Sequence, residues 1–166
     1  MTDYLIKQNA HYASPRTMSM HTGITEMWGK ALFQRECWYS KEMYGTHLNK
    51  LVGFTSDILG RNSMRIAWRP SVVMHKIDLY IYLHINGQWV RSDRLKDDFI
   101  ATVECDKEFD WSLHKMPGIA IADAGEGTVS RQYDASSGWG YRQGVYFGGI
   151  HTAPWDMVVS LSASTR

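Results

Sequence analysis

The sequence predicts an all-β protein, a single antiparallel β-sandwich of the jelly-roll type. Many short segments alternate apolar and polar residues with a period of two, which is typical of strands with one buried face. Turn signals separate these segments at intervals of about 8–12 residues, as in sandwiches and barrels. No window keeps a helical period. Because a sheet must bury its apolar face against another layer, we expect two packed sheets.

The segment Lys76–Ile85 is the clearest predicted strand. One face carries the apolar residues Ile77, Leu79, Ile81, Leu83 and Ile85. The opposite face carries the polar and aromatic residues Lys76, Asp78, Tyr80, Tyr82 and His84. Asn86-Gly87 follows at once and is a strong hairpin signal, so a return strand is expected from Gln88 onward.

The remaining strands are predicted by the same alternation and by bounding glycines and prolines. In chain order they are Lys30–Trp38, Lys50–Thr55, Ser63–Arg69, Phe99–Cys105, Ile119–Ala122, Thr128–Tyr133, Tyr141–Phe147 and Asp156–Leu161. Residues 1–27 lack this pattern. They are therefore predicted to form an irregular N-terminal arm before a sandwich domain of residues 28–166, and such an arm would suit packing on a neighbouring subunit in a homo-oligomer or larger assembly.

Composition excludes several functions. The chain has 166 residues, with 18 Lys and Arg against 17 Asp and Glu, a formal net charge of +1. This balance argues against nucleic acid or an acidic membrane surface as a partner, because both are bound through a summed positive field. No signal peptide and no membrane-spanning segment are predicted. Cys37 and Cys105, the two cysteines, are therefore expected to be reduced.

Aromatic residues make up 13% of the chain, with 7 Trp and 9 Tyr, which favours strands and binding surfaces. Tyr80, Tyr82 and His84 would form a row about 13 Å long on one strand face. Rings at this spacing suit the apolar faces of sugar rings, while their polar atoms suit sugar hydroxyls. The alternative is a plain solvated outer face.

Arg65 and Arg69 form a second polar row on the neighbouring predicted strand. Guanidinium groups match carboxylate or sulfate oxygens, so this row is a candidate anion site. The alternative is ordinary ion pairing with Asp78 across the sheet.

The segment Gly138–Asp156, GWGYRQGVYFGGIHTAPWD, concentrates aromatic residues among glycines. Trp139, Tyr141 and Trp155 are the candidate ligand-binding residues here, because glycine allows close approach and aromatic rings supply contact area. The alternative is a tight corner whose rings cap the core.

No metal site or cofactor is expected. The seven histidines form no HExxH pattern, no CxxC pair is present, and no acidic loop has calcium-site spacing. A phosphate-binding loop and a GxSxG nucleophile elbow are absent as well.

Four segments carry a resemblance: NKLVGFTS at Asn49–Ser56, NSMRIAWRP at Asn62–Pro70, HKIDLYIYLHINGQ at His75–Gln88 and YFGGIHTAPWDMVV at Tyr146–Val159. Together they resemble small bacterial and phage-encoded jelly-roll proteins with a concanavalin A-like sandwich, over roughly residues 28–160. This resemblance implies the fold and a phage setting, with the virion or the cytoplasm of an infected bacterium as the expected location.

A second resemblance is to jelly-roll polysaccharide lyases, which carry an Arg-containing strand, a Gln-Ile-His strand and a Tyr-x-Lys-x-Gly-x-Tyr strand in that order. Here the order is Arg65 and Arg69, then His84, then Arg142, Gly144 and Tyr146. This chain has Leu83 before its histidine, Arg142 in place of the Lys, and Gly140 in place of the first Tyr.

These observations lead to a function hypothesis with two alternatives. The main interpretation is a non-enzymatic, phage-encoded binding or structural module, such as a capsid-decoration, fibre or tail component, that contacts a glycan or a protein surface through aromatic residues. The first alternative is a polysaccharide lyase acting on a uronic-acid glycan, with His84, Tyr146, Arg65 and Arg142 as its site. The second is an anti-defence protein that sequesters a host nucleotide signal through Arg65, Arg69 and Arg142.

Overall fold

The computed structural model describes residues 1–16, 18–40, 47–90, 95–135 and 138–166. More than half of these residues lie in strands, and the helical residues among them form two short 3-10 turns, Arg35–Cys37 and Leu95–Asp98. The strands in chain order are β1 (Thr2–Ile6), β2 (Ala13–Ser14), β3 (Met18–Thr22), β4 (Glu26–Phe33), β5 (Asn49–Thr55), β6 (Ser63–Pro70), β7 (Lys76–Ile85), β8 (Gln88–Val90), β9 (Phe99–Glu104), β10 (Phe109–Met116), β11 (Ile119–Ala124), β12 (Gly127–Gln132), β13 (Trp139–Gln143), β14 (Met157–Leu161) and β15 (Ser164–Thr165).

The strands form two antiparallel sheets. Sheet A has the order β12-β11-β10-β4-β14-β1-β2, with β15 also paired to β4. Sheet B has the order β3-β13-β5-β6-β7-β8, with β9 also paired to β7. The predicted antiparallel jelly-roll sandwich is therefore confirmed.

The core lies between the two sheets, where the alternating strands place their apolar faces. The apolar residues Ile77, Leu79, Ile81 and Leu83 of β7 are buried there, and so are Val103 of β9 and Met157, Val159 and Leu161 of β14. Cys105 is only partly buried because it lies in the turn after β9. Both Cys37 and Cys105 are free thiols.

The first 27 residues differ from the predicted irregular arm. β1 pairs with β14 in sheet A, and β3 pairs with β13 in sheet B, so this segment contributes strands to both layers. The pattern was invisible in β3 because four of its five side chains are exposed and the fifth is only partly buried. An edge strand with no buried face has no apolar alternation to detect. The domain boundary at residue 27 stays a prediction.

In the part of the chain that the structure describes, no helix has the length and apolar character needed to cross a membrane.

Candidate functional site

The outer face of sheet B, which points away from the core, carries a row of side chains at its centre. Gln143 of β13 is opposite Gly53 of β5, Gly53 is opposite Arg65 of β6, and Arg65 is opposite Tyr82 of β7. Glycine is required in this row, because a Cβ atom at position 53 would collide with the backbone oxygen of Met64 and would lie 2.6 Å from Cγ of Arg65. The close approach of β5 and β6 and the arginine side chain both depend on the space that Gly53 leaves free.

A second row lies beside the first and brings Lys50 next to Tyr146. The two residues exchange backbone hydrogen bonds of 2.8 and 2.9 Å. Lys50 Nζ donates to the Leu48 carbonyl oxygen at 2.8 Å. It also lies 4.7 Å from the ring centroid of Tyr82 and 5.9 Å from that of Tyr146. A register shift in β5 between Lys50 and Val52 produces this placement.

The N-terminal segment forms one wall of this region. The rings of Tyr12 and Tyr146 meet edge to face at 5.1 Å, and the ring of His11 stacks on Tyr146 at 5.5 Å. The Arg16 guanidinium carbon lies 3.6 Å from the centroid of the Tyr12 ring. The segment predicted to be an arm thus holds Tyr146 from the side opposite Lys50.

These two rows and the N-terminal wall line a cavity of about 500 Å³ that is open to solvent on one side. This volume is common for small-ligand sites. Its lining includes the basic residues Arg16, Lys50, Arg65 and Arg142, and no acidic residue among those that the structure describes. Within the same described part, Nε of Arg65 and Oε1 of Gln143 are buried without a hydrogen-bond partner. Buried polar atoms are normally paired, so these two atoms are exceptions. The basic lining gives the cavity the charge to receive an anionic ligand.

His84 joins the site through Tyr82. Its Nε2 atom lies 3.0 Å from the Tyr82 hydroxyl, within hydrogen-bond distance, and the two rings are 5.1 Å apart. Burial lowers the pKa of His84, and the nearby charges of Arg65 and Lys50 lower it further. The imidazole is therefore neutral at neutral pH and able to accept a proton.

Lys50 and Tyr146 of the site also have shifted pKa values. Burial lowers the pKa of Lys50 to about 8, and the Arg65 charge adds to this shift. Burial raises the pKa of Tyr146, with a further upward contribution from Tyr12, while Arg65 acts in the opposite direction. Arg65 therefore interacts electrostatically with Lys50, His84 and Tyr146 alike.

Most of the sequence-predicted binding residues do not line this cavity, and Tyr80 and Arg69 are the first two of them. Tyr80 is buried rather than solvated, because Leu48 and Leu95 pack with it and Ala67 in a small second cluster on this face. Arg69 lies over the Tyr80 ring at 4.9 Å. Of the predicted row of three sugar-stacking rings on β7, Tyr82 and His84 are still partly exposed, although neither lines the cavity.

The aromatic residues of the Gly138–Asp156 segment separate in space. Tyr141 lines the cavity. Trp139 is 62% exposed and pairs with Thr22 of β3 at the sheet edge. Trp155 donates its indole N–H to the Glu36 carbonyl oxygen at 2.7 Å and lies outside the cavity lining.

Arg142 contributes to the cavity lining, but its guanidinium points elsewhere. It pairs in register with the core residue Phe54, and its Nη1 donates to the Ala163 carbonyl oxygen at 3.3 Å. The alternation of β13 therefore sends Arg142 toward the interior and Gln143 toward the outer face.

Sequence reasoning missed several residues of the site. They are Tyr12, Arg16, Lys50 and Gln143. A lone lysine opening an otherwise apolar strand was the one available signal for Lys50, and Gln143 could have been found from the alternation of β13. No group of three or more His, Cys, Asp or Glu side chains in the described ranges could hold a metal ion.

No protein-family model matches the sequence, and no curated protein matches it significantly. Among solved structures, a product complex of the family 7 alginate lyase A1-II′ is similar over 99% of this chain and 79% of that chain, with 11% identity and a TM-score of 0.61. An alginate lyase from Alteromonas sp. 272 matches over 99% and 79%, with 11% identity and a TM-score of 0.51. A prokaryotic β-1,3-1,4-glucanase from a mouse hindgut metagenome matches over 97% and 77%, with 9% identity and a TM-score of 0.54. At these identities the likeness establishes the shared fold.

The comparisons correct the main function hypothesis. The interpretation as a non-enzymatic, phage-encoded module is wrong, and so is the expectation that the chain is not an enzyme, because several of the similar structures are alginate lyases. They favour the lyase alternative instead. The similar structures give no support to a viral or virion setting.

Proposed function

We propose that the chain is a polysaccharide lyase that cleaves a uronic-acid glycan by β-elimination. The observation that carries the proposal is the convergence on Arg65: its charge acts on both His84 and Tyr146 across a basic cavity on the outer face of sheet B. The similar fold of alginate lyases supports the same reaction class.

The chemistry requires three groups. A base removes the proton on the carbon next to the sugar carboxylate, and the electron pair forms a carbon–carbon double bond. The glycosidic carbon–oxygen bond breaks, and an acid protonates the departing oxygen. A cation close to the carboxylate must stabilise the negative charge that develops there.

The site offers one residue for each role: Arg65 and Tyr146 line the cavity, and His84 lies beside Tyr82, the cross-strand partner of Arg65. Arg65 is the carboxylate partner, since its guanidinium stays charged at neutral pH and the residue lines the cavity. His84 is the base, because its lowered pKa keeps it neutral. Tyr146 is the acid, because its raised pKa keeps it protonated. The lowered pKa of His84 and the raised pKa of Tyr146 thus indicate which of the two residues is the base and which is the acid.

Two other functions are less well supported by the cavity. Glycoside hydrolysis normally uses two carboxylates, and the described lining residues include none. Nucleotide sequestration would need Arg65, Arg69 and Arg142 together, whereas Arg69 covers Tyr80 and Arg142 donates to Ala163.

The proposal is tested by incubating the protein with a panel of uronic-acid polysaccharides, including alginate, and following the ultraviolet absorbance of the unsaturated product. We expect steady product formation on at least one polyuronate and none on a neutral β-glucan. Failure on every polyuronate, with the protein folded, would contradict the proposal.

Association into a homo-oligomer, and a location in the virion or in the cytoplasm of an infected bacterium, stay predictions from the sequence.

A further inference from the structure

Lys50 is the cavity residue for which neither the sequence motifs nor the proposed acid and base provide a role. Its side chain is largely removed from water, and one of its three donors is used by the Leu48 carbonyl oxygen. The remaining N–H groups are held between the rings of Tyr82 and Tyr146. A lysine placed in this way is fixed rather than mobile.

The charge around Lys50 is unbalanced. Its electrostatic neighbour is the Arg65 cation, and no carboxylate among the described cavity residues offsets the two charges. Two cations that share a partly desolvated region repel each other and lose hydration, so holding Lys50 and Arg65 together costs free energy. An anion placed between them would remove that cost.

We propose that Lys50 and Arg65 together bind the substrate carboxylate, and that the ligand binds with uptake of a proton by Lys50 at alkaline pH. This inference rests on the proposed function and assigns to Lys50 a part in its selectivity: Lys50 and Arg65 together favour the anionic uronate over its neutral counterpart. Lys50 is a binding and specificity residue, and the proton transfers remain with His84 and Tyr146.

The titration behaviour follows from the groups that face Lys50. Its pKa is about 8 in the free cavity, and a bound carboxylate raises it again. The groups facing it are Arg65 from β6, Tyr82 and His84 from β7, and Tyr146 with Tyr12 beside it. Arg65 stays charged throughout, His84 titrates below its ordinary pKa, and the pKa values of Tyr82 and Tyr146 are raised, so Lys50 is the group that changes charge between pH 7 and 9.

The experiment is calorimetric binding of a saturated uronate trisaccharide to the Tyr146→Phe protein, which suppresses turnover. It is run at pH 7 and pH 9 in two buffers that differ in ionisation enthalpy. We expect almost no proton uptake at pH 7, nearly one proton at pH 9, and binding about tenfold weaker at pH 9. A carboxyl-reduced trisaccharide of the same backbone should bind at least tenfold more weakly than the uronate at pH 7.

Two further variants in the same background separate charge from structure. Lys50→Arg should retain binding and lose the pH dependence, because arginine stays charged. Lys50→Met should bind at least tenfold more weakly at pH 7 and lose the proton uptake, with an unchanged circular-dichroism spectrum. Equal binding by Lys50→Met, or proton uptake that persists in Lys50→Arg, would overturn the inference. If uronate binding behaves as expected but the wild type makes no unsaturated product, the lyase proposal fails and the Lys50 assignment stands.

Discussion

Replacing His84 by Ala or Tyr146 by Phe is expected to lower kcat on the susceptible polyuronate at least 100-fold, while KM changes little. Each substitution removes a proton-transfer group that acts in the transition state, and such groups typically contribute about 10²–10⁴-fold. Neither side chain is the proposed carboxylate ligand, so ground-state binding is retained. The measurement is steady-state kinetics by ultraviolet absorbance, together with a thermal melt of each variant.

His114→Ala is the matched control for His84→Ala. His114 is on β10 of sheet A, where its Nε2 lies 2.9 Å from the Ser112 hydroxyl, so it shares the residue type but not the cavity. Its loss should leave kcat within about twofold of the wild type. The acid–base assignment would be contradicted if His84→Ala and His114→Ala had the same small effect.

Replacing Lys50 by Met is expected to stabilise the fold by about 1–3 kcal/mol near pH 7, even though it weakens uronate binding. The pKa of Lys50 falls to about 8 in the folded chain, so the folded state bears the cost of a poorly solvated charge. Methionine removes that cost, and the loss of the hydrogen bond to Leu48 offsets part of the gain.

The difference in unfolding free energy between Lys50→Met and the wild type depends on pH, because the folded and the unfolded chain bind the Lys50 proton with different pKa values. Below about pH 8 Lys50 is protonated in both the folded and the unfolded chain, so the folded wild type bears the full cost. As the pH rises from about 8 toward the lysine value near 10.4 in the unfolded chain, the folded state releases its proton first and the cost disappears. The gain from Lys50→Met should therefore be largest at pH 6–7 and shrink above pH 8.

Urea denaturation at pH 6, 7, 8 and 9 measures this dependence. Lys107→Met is the control, because Lys107 is exposed in the turn between β9 and β10, and it should stay within about 0.5 kcal/mol at every pH. If Lys50→Met were less stable than the wild type at pH 7, the burial of the Lys50 charge would not destabilise the folded state, and the prediction would be wrong.

The inner faces of the sandwich could be predicted because a buried face leaves an apolar alternation in the sequence. In β7 this alternation identified Leu79 and Leu83 as core residues, and both are fully enclosed. The same alternation does not show whether the side chains on the outer face are exposed to solvent or covered by other residues. Tyr80 was therefore expected to be accessible, although Leu48 and Leu95, distant in sequence, cover it.

The site was only partly predictable for a related reason. Arg65, His84 and Tyr146 stood out as chemistry-bearing residues at strand spacing, but their convergence depends on strand order. Lys50 reaches Tyr146 through a register shift within β5, and Tyr12 reaches it through an edge segment without buried alternation. Register shifts and edge pairings are set by tertiary contacts, so a single sequence does not reveal them.

The central claim is that the cavity cleaves by elimination, and the most direct test is product analysis after cleavage in ¹⁸O-labelled water. Elimination adds no water, so each new non-reducing end should carry a carbon–carbon double bond and, in products analysed before the reducing ends exchange oxygen with water, no ¹⁸O should be present, as measured by mass spectrometry and ultraviolet absorbance. Hydrolysis, the alternative way to break a glycosidic bond, adds one water per cleaved bond. Unsaturated, unlabelled ends that vanish in His84→Ala are the predicted result, and saturated ends that carry ¹⁸O would contradict the account.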